Sequence, residues 1–356
     1  MGFLITIVAL SIVIFLHELG HMLSAKKFGI SVYEFSIGMG PKIVSKLFGG
    51  TLYALRLLPF GGFVKVAGLN DEDDAPAPDA VSFYTRPLWQ RCVVIAAGSI
   101  MNLISGFLIF LFIFLVWGTR SLTPVIDSVV ANSPAAQAGL QSGDKALKLN
   151  NLEIKDVMND LIKPISLHRG QESMDLLIER EGQEKHLTVI PRYDEKKKIS
   201  MIGMILKSQR QHETLISAPG LALNATWIYT KMVFTSLKML FTGAASLKDL
   251  SGPVGIVQFA SFELQKGLDS FFHVIAMISI SLGIINLMPI PVLDGGHLLF
   301  LFIEGIRGKA MGKKVETIIS NVCAALLIAL MVFVVVNDVF HWKSREKLLH
   351  TLQQKK

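Results

Sequence analysis

Four stretches of the chain, about 3–23, 92–117, 272–296 and 315–337, stay apolar over the roughly 20 residues that one helical crossing of a bilayer takes. In hydrocarbon every backbone polar group must find its partner inside the protein, so such segments can only be helical. Composition agrees. Of 356 residues, 51% are hydrophobic and 18% charged, where a soluble domain carries about a quarter charged residues. Mean hydropathy is +0.50. The expected fold class is a polytopic α-helical membrane protein with four transmembrane helices and the lipid bilayer as its immediate partner.

The formal net charge of +7 suits basic loops beside an anionic membrane face. No basic stripe is interleaved with aromatics, so a nucleic-acid partner is not expected. Cys92 and Cys323 both fall in apolar runs without metal-ligand spacing, and two cysteines make no disulfide framework. The N-terminal apolar run lacks a basic flank and ends in HELGH, not a small-residue cleavage site. It reads as a retained helix.

Between the second and third apolar stretches, residues 122–207 have ordinary soluble composition, with β-rich runs such as KHLTVI and turn signals such as SGD. The expected organisation is 1–118 with the first two crossings, 122–207 as an inserted domain, 215–270 as an interfacial amphipathic segment, and 271–356 with the last two crossings. Basic residues crowd the loop 24–91 (Lys26, Lys27, Lys42, Lys46, Arg56, Lys65, Arg86, Arg91) and the loop before the last helix (Arg307, Lys309, Lys313, Lys314). The positive-inside tendency places both on the cytoplasmic side and 122–207 outside. The basic C-terminal tail disagrees, because four crossings leave it outside. A fifth crossing at 221–242 would resolve that conflict, but Lys231, Lys238 and several Thr residues suit an interfacial helix better. It would also carry Asp294 to the membrane face away from His17 and His21. Two β-prone runs flank Pro59-Phe60-Gly61-Gly62, which predicts a membrane-associated β-hairpin turning there. Residues 71–80, DEDDAPAPDA, predict a solvated loop.

His17 and His21 are four residues apart, on one helical face about a turn apart, a suitable bite for one Zn²⁺. Glu18 adjoins the first of them and can act as general base on a water activated by the metal. Ionisable groups inside an apolar crossing are costly and mark function. A catalytic zinc needs a third protein ligand and an open position, and Asp294 in NLMPIPVLDGGH is the best candidate. Pro289 and Pro291 should break the third helix within the membrane, and such backbone survives only where protein buries it or it lines a cavity. A fourth protein ligand would block the water, so His297 reads as a neighbour.

HELGH in the first helix with NLMPIPVLDGG in the third resembles the signature pair of the site-2 protease family of intramembrane zinc proteases, and most of all its bacterial regulator-of-sigma-E branch. LSGPVGI (Leu250 to Ile256) adds to the match, which covers essentially the whole chain. The resemblance implies one Zn²⁺ per chain held by His17, His21 and Asp294, with Glu18 as catalytic base. It implies that Asn286, with the backbone broken at Pro289 and Pro291, helps hold an extended substrate. It also implies that Gly61, Gly62 and Phe63 belong to a membrane re-entrant β-loop that lends an edge to substrate. The family's Gly-Pro-x-x-Asn in the second helix reads Gly98-Ser99-Ile100-Met101-Asn102 here. Ser99 replaces the proline, and Asn102 reads equally as a substrate contact or an interhelical hydrogen bond. Implied partners are single-pass membrane proteins already trimmed outside, as in freeing an anti-sigma factor or clearing signal peptides. The implied location is a bacterial inner membrane. Asn132 to Asn151 resembles a PDZ core (Ser133-Pro134-Ala135, Ala138-Gly139-Leu140, Gly143-Asp144, and Asn150-Asn151 for the usual Asn-Gly), which implies one extracytoplasmic PDZ-like domain that filters substrate. Two readings from other classes compete. One is a catalytically silent scaffold presenting its PDZ domain; the other is a metal transporter with His17, His21 and Asp294 on its ion path.

Overall fold

A computed structural model describes residues 2–69, 80–170, 172–195, 198–244 and 252–354. Nearly all of the acidic 71–80 segment and the first two residues of LSGPVGI lie outside them. Among the described residues, four helices are long and apolar enough to cross a membrane, at Gly2–Lys27, Leu88–Trp117, Leu268–Asn286 and Lys314–Phe340. They fall where the hydropathy of the sequence places them, with one difference. The third apolar stretch is not one helix. α7 (Leu268–Asn286) ends at Asn286, and α8 (Asp294–Arg307) restarts at Asp294 after an irregular link. Pro289 and Pro291 cannot donate backbone hydrogen bonds, and this is what the link between the helices accommodates. The 221–242 region forms helix α5 (Ser217–Phe241), which is not among the four.

The chain divides into two compact units, Met1–Leu115 with Thr214–Lys356, and Val116–Glu213. In the first, α1 (Gly2–Lys27) packs on α6 (Pro253–Lys266) and α7. Val13, Ala260, Phe271, Val274 and Ile275 form one core there, and the Thr6 and Ser261 hydroxyls are 3.1 Å apart within it. A second core, with Met22, Ile30, Phe35, Val66, Val94 and Leu301, joins α1 to the sheet, to α2 (Leu88–Trp117) and to α8. Asp338 of α9 (Lys313–Gln354) is 1% exposed and accepts from the backbone N–H groups of Gly252 and Gly255 at 3.2 and 2.8 Å. Its carboxylate thus caps the positive end of α6 and ties down a helix whose other faces are largely exposed.

The β-structure differs from the expected hairpin at residues 59–62. The turn is at Gly49-Gly50, both at positive φ (55° and 75°), between β1 (Val32–Phe48) and β2 (Thr51–Val66). Phe48 faces Thr51 across it, and two glycines supply the left-handed conformations that a tight primed turn needs. β2 runs on through 59–62. Both strands bend, so residues 32–37 pair with 51–55 on one side and with 62–66 on the other. The sheet order is 42–48, 51–56, 32–37, 62–66. Arg56 fixes the bend by donating to Ser36 Oγ (2.7 Å), the Gly40 carbonyl (2.5 Å) and Glu34 (2.7 Å).

The second unit begins and ends beyond the expected 122–207, because β3 (Thr119–Val129) pairs back to β10 (Met204–Gln211) as far as Thr119 opposite Gln211. Its main sheet runs β10-β3-β4-β6-β7, with β4 (Lys145–Leu149), β6 (Met174–Arg180) and β7 (Gln183–Val189). Asn150 and Asn151 both adopt positive φ in the turn after β4, a conformation Asn tolerates better than most residues. Ser133 caps the short helix α3 (Pro134–Gln137) by accepting from the Ala136 N–H. Asp144, 1% exposed, receives Arg180 on both oxygens at 2.7 Å and the Gln141 N–H at 2.8 Å.

Arg91 of α2 grips Glu304 of α8 through two bonds of 2.5 and 3.0 Å, largely shielded from solvent. Arg91→Met leaves that carboxylate unpartnered and should cost about 3 kcal/mol in unfolding of the detergent-solubilised protein, while Arg91→Met with Glu304→Met should recover most of the loss. Burial alone would raise the Asp144 pKa, yet the Arg180 bonds and the Gln141 N–H hold it below the usual carboxylate value. A depressed folded pKa stabilises the fold above the unfolded value, about 3.9, and that contribution is lost as pH falls through the folded pKa. In Arg180→Gln most of that contribution is already missing near neutral pH, so residues 116–213 should exchange hydrogen faster than in wild type there, and the difference should shrink on acidification through the carboxylate range.

Candidate metal centre

Both HELGH imidazoles are buried, with His17 6% and His21 8% exposed. One helical turn apart on α1, their Nε2 atoms lie 3.2 Å from each other. The link after α7 delivers Asp294 to the same point, with Oδ2 3.3 Å from His17 Nε2 and Oδ1 3.5 Å from His21 Nε2. Among the described residues these three are the group of His, Cys, Asp and Glu side chains close enough to share an ion. A tetrahedron with zinc–ligand bonds of about 2.0–2.1 Å has edges of about 3.3–3.4 Å, which the spacings match. Two imidazole nitrogens and one carboxylate oxygen are also a donor set that suits Zn²⁺ and leaves a fourth position open.

The far side of each ring is held by α2. His21 Nδ1 is 2.9 Å from the Val94 carbonyl, an acceptor, so the ring proton sits on Nδ1 and Nε2 keeps its lone pair. His17 Nδ1 is 3.3 Å from the Asn102 carboxamide. Ser99 Oγ, fully buried, donates to Asp294 Oδ2 at 3.1 Å. Sequence reasoning saw Ser99 only as a missing proline. In the structure α2 continues unbroken through it, and its hydroxyl orients the candidate carboxylate ligand.

A cavity of about 280 Å³ opens beside the three groups, lined among others by Glu18, Val64, Val66, Asn286, Val292 and His297. The sheet edge 62–66 forms one wall, where a Cβ added at Gly62 would lie 3.6 Å from Glu18 Cγ and 2.8 Å from the Ser36 carbonyl. Asn286, the last residue of α7, brings Nδ2 within 3.4 Å of His17 Nε2. The other expected residues stand further off. Phe63 turns to the opposite face of its strand and lies under the Arg56 guanidinium, 5.0 Å from it. Gly61 provides a positive φ of 80°. Pro289 lines a separate apolar groove with Leu88, Cys92 and Phe302, and Pro291 packs on Gly296. The prolines therefore shape the link and do not line the cavity. Val292, which sequence reasoning missed, sits at φ 100°, a strained conformation for a β-branched residue and one that concentrates at functional sites. His297 stays a neighbour, as the sequence suggests.

A profile of Peptidase family M50 matches residues 5–330, a span that includes every group just described. The chain belongs to this family. It is a multi-pass membrane zinc metalloprotease. A chain of Clostridium acetobutylicum named among the zinc metalloproteases is 35% identical over 337 residues, covering 95% of this chain and 97% of the relative. The regulator of sigma-W protease RasP of Bacillus subtilis is 32% identical over 421 residues, covering 95% of this chain and 99% of the relative. Among solved structures, the PDZ domain of an SdrC-like protein from Listeria monocytogenes is 18% identical with a TM-score of 0.22, covering 25% of this chain and 88% of that one.

The protease leaves no room for a side chain at residue 98. A Cβ on Gly98 would stand 2.3 Å from His21 Nε2, the ring nitrogen that faces His17 and Asp294 in the candidate metal centre. Gly98→Ala should therefore purify with less than a tenth of the wild-type zinc content, on the scale of a disrupted site support. Elemental analysis of the purified variant, with circular dichroism to show retained helix, checks this.

Proposed function

We propose that this protease cleaves the transmembrane segments of single-pass membrane proteins, with His17, His21 and Asp294 holding one Zn²⁺ and Glu18 as general base. The observation that carries the reading is depth. Roughly 15 Å of helix axis separates His17 from the α1 terminus at Lys27, so the reacting groups sit well inside a crossing helix. A substrate helix hides its carbonyls in its own hydrogen bonds and must unwind before attack. Strand 62–66, at the border of its sheet and against the Glu18 side chain, offers backbone partners to an unwound segment.

Zinc bound by this set would polarise the scissile carbonyl and acidify a water. Glu18 takes the proton from the attacking water and returns it to the leaving amine. The Asn286 carboxamide, beside the same position, orients the carbonyl oxygen or the stretched backbone next to it. Val292 and Leu293 close the wall from which Asp294 projects.

The membrane arrangement we propose keeps loop 24–91 on the cytoplasmic face and the 122–207 region outside as a PDZ-like substrate filter, on the strength of the basic residues flanking α1 and α8. α5 lies along the membrane surface, where Trp227 and Phe234 are exposed and Lys231 stands 5.6 Å from the Trp227 ring. The Bacillus subtilis relative is named as a regulator of sigma-W; by that likeness the substrate class includes anti-sigma factors that have already lost their outer part. Glu18→Gln should retain zinc while cleavage of a reconstituted single-pass substrate falls by about 10²–10⁴-fold. Undiminished cleavage by a zinc-loaded variant would refute the mechanism.

A further inference from the structure

We propose that Asn102 is a positioning residue for the metal, setting the tautomer of His17 by turning its carboxamide oxygen to Nδ1. The inference rests on the reading of His17 as a ligand. His17 Nε2 is within 3.2 to 3.4 Å of His21 Nε2, Asp294 Oδ2 and Asn286 Nδ2. To bind zinc through Nε2 a neutral imidazole must carry its proton on Nδ1. That proton then needs an acceptor. The Gly98 backbone carbonyl also lies near the His17 ring, and the side-chain atom opposite Nδ1, at 3.3 Å, belongs to Asn102. An NH₂ group cannot accept it, because two donors facing each other do not bond.

The same side chain holds the remedy. Asn102 is fully buried, and among the described residues its Oδ1 has no hydrogen-bond partner, an expensive condition for a buried acceptor. A half turn of the planar amide exchanges the two ends without moving the backbone. Oδ1 then accepts from His17 Nδ1–H. The backbone that carries this side chain is itself fixed: the Asn102 main-chain carbonyl accepts from Ser279 Oγ at 2.8 Å and Ser105 Oγ at 3.0 Å, and those two hydroxyls lie 2.9 Å apart. Across the interface Gly283 leaves room, since a Cβ there would be 3.2 Å from the Asn102 Cβ. With Val94 doing for His21 what Asn102 does for His17, α2 orients both candidate imidazole ligands from behind. Buried against the ring, Asn102 has no exposed surface with which to touch a substrate.

The test is Zn²⁺ affinity of the full-length, metal-stripped protein in detergent, by competition with a chromophoric chelator, for wild type, Asn102→Leu and Asn102→Asp. Leucine fills the volume without an acceptor, whereas aspartate offers one in every orientation. Asn102→Leu should bind zinc about 10–100-fold more weakly, and Asn102→Asp should match or exceed wild type. Wild-type affinity in a folded Asn102→Leu overturns the proposal, and so does a loss in Asn102→Asp as large as that in Asn102→Leu. If leucine prevents folding, the aspartate variant decides alone, with wild-type affinity supporting the assignment and a tenfold loss rejecting it. Failure of the wild type to bind zinc would instead strike the ligand assignment itself.

Discussion

Helices α1 and α2 approach so closely that a Cβ on Gly20 would lie 2.4 Å from the Ala97 carbonyl oxygen, and the polar cluster depends on that contact. Charged and hydrogen-bonding groups in an apolar span are tolerated only when each has a partner. The close approach supplies the partners, because it brings the Val94 carbonyl, Ser99 Oγ and Asn102 within bonding distance of His21, Asp294 and His17. At any larger separation two buried histidines and a carboxylate would face hydrocarbon. A glycine on each helix at the contact is thus part of the chemistry, although neither bears a functional group.

The third element of the centre is held differently. Asp294 comes from the first turn of a helix that starts inside the protein, and that turn folds onto the link before it. Added Cβ atoms on Gly295 and Gly296 would stand 2.2 to 2.5 Å from the carbonyls of Met288, Leu287 and Ile290. Since those obstacles are backbone, no rotamer change could relieve them. The DGG sequence and the two prolines therefore describe one object: a tight reversal that ends α7, strains Val292 and presents a carboxylate. The Arg91–Glu304 pair fastens the far end of α8 to α2, so the helix carrying Asp294 is held at both ends.

Much of this was legible in the sequence. The four spans show because burial in lipid demands unbroken apolar runs, and the HELGH and LDGG groups show because ionisable residues inside such runs are rare. What escaped reading depends on partners distant in the chain. Nothing local to TLYALRLLPFGGFVKV says that its two halves flank a third segment, since β-propensity identifies strands but not their neighbours. Gly49-Gly50 did carry a turn signal that the reading passed over. Ser99 looked like a defect in a familiar pattern because its value lies in Asp294, which is 195 positions away. Asn102 stayed ambiguous for the same reason, as burial and direction are properties of the packed helices. In the second unit the boundary missed because Thr119 and Gln211 pair at the point where composition has already turned polar.

As proposed above, two imidazoles from one helical turn and one carboxylate from a broken helix share a single zinc ion within the membrane-spanning unit. X-ray absorption at the zinc edge of the purified, detergent-solubilised protein addresses it most directly. The expected spectrum shows a shell of nitrogen and oxygen only, at about 2.0–2.1 Å, with outer-shell scattering from two imidazoles. A sulfur scatterer at about 2.3 Å, or imidazole scattering from any number of rings other than two, would contradict it.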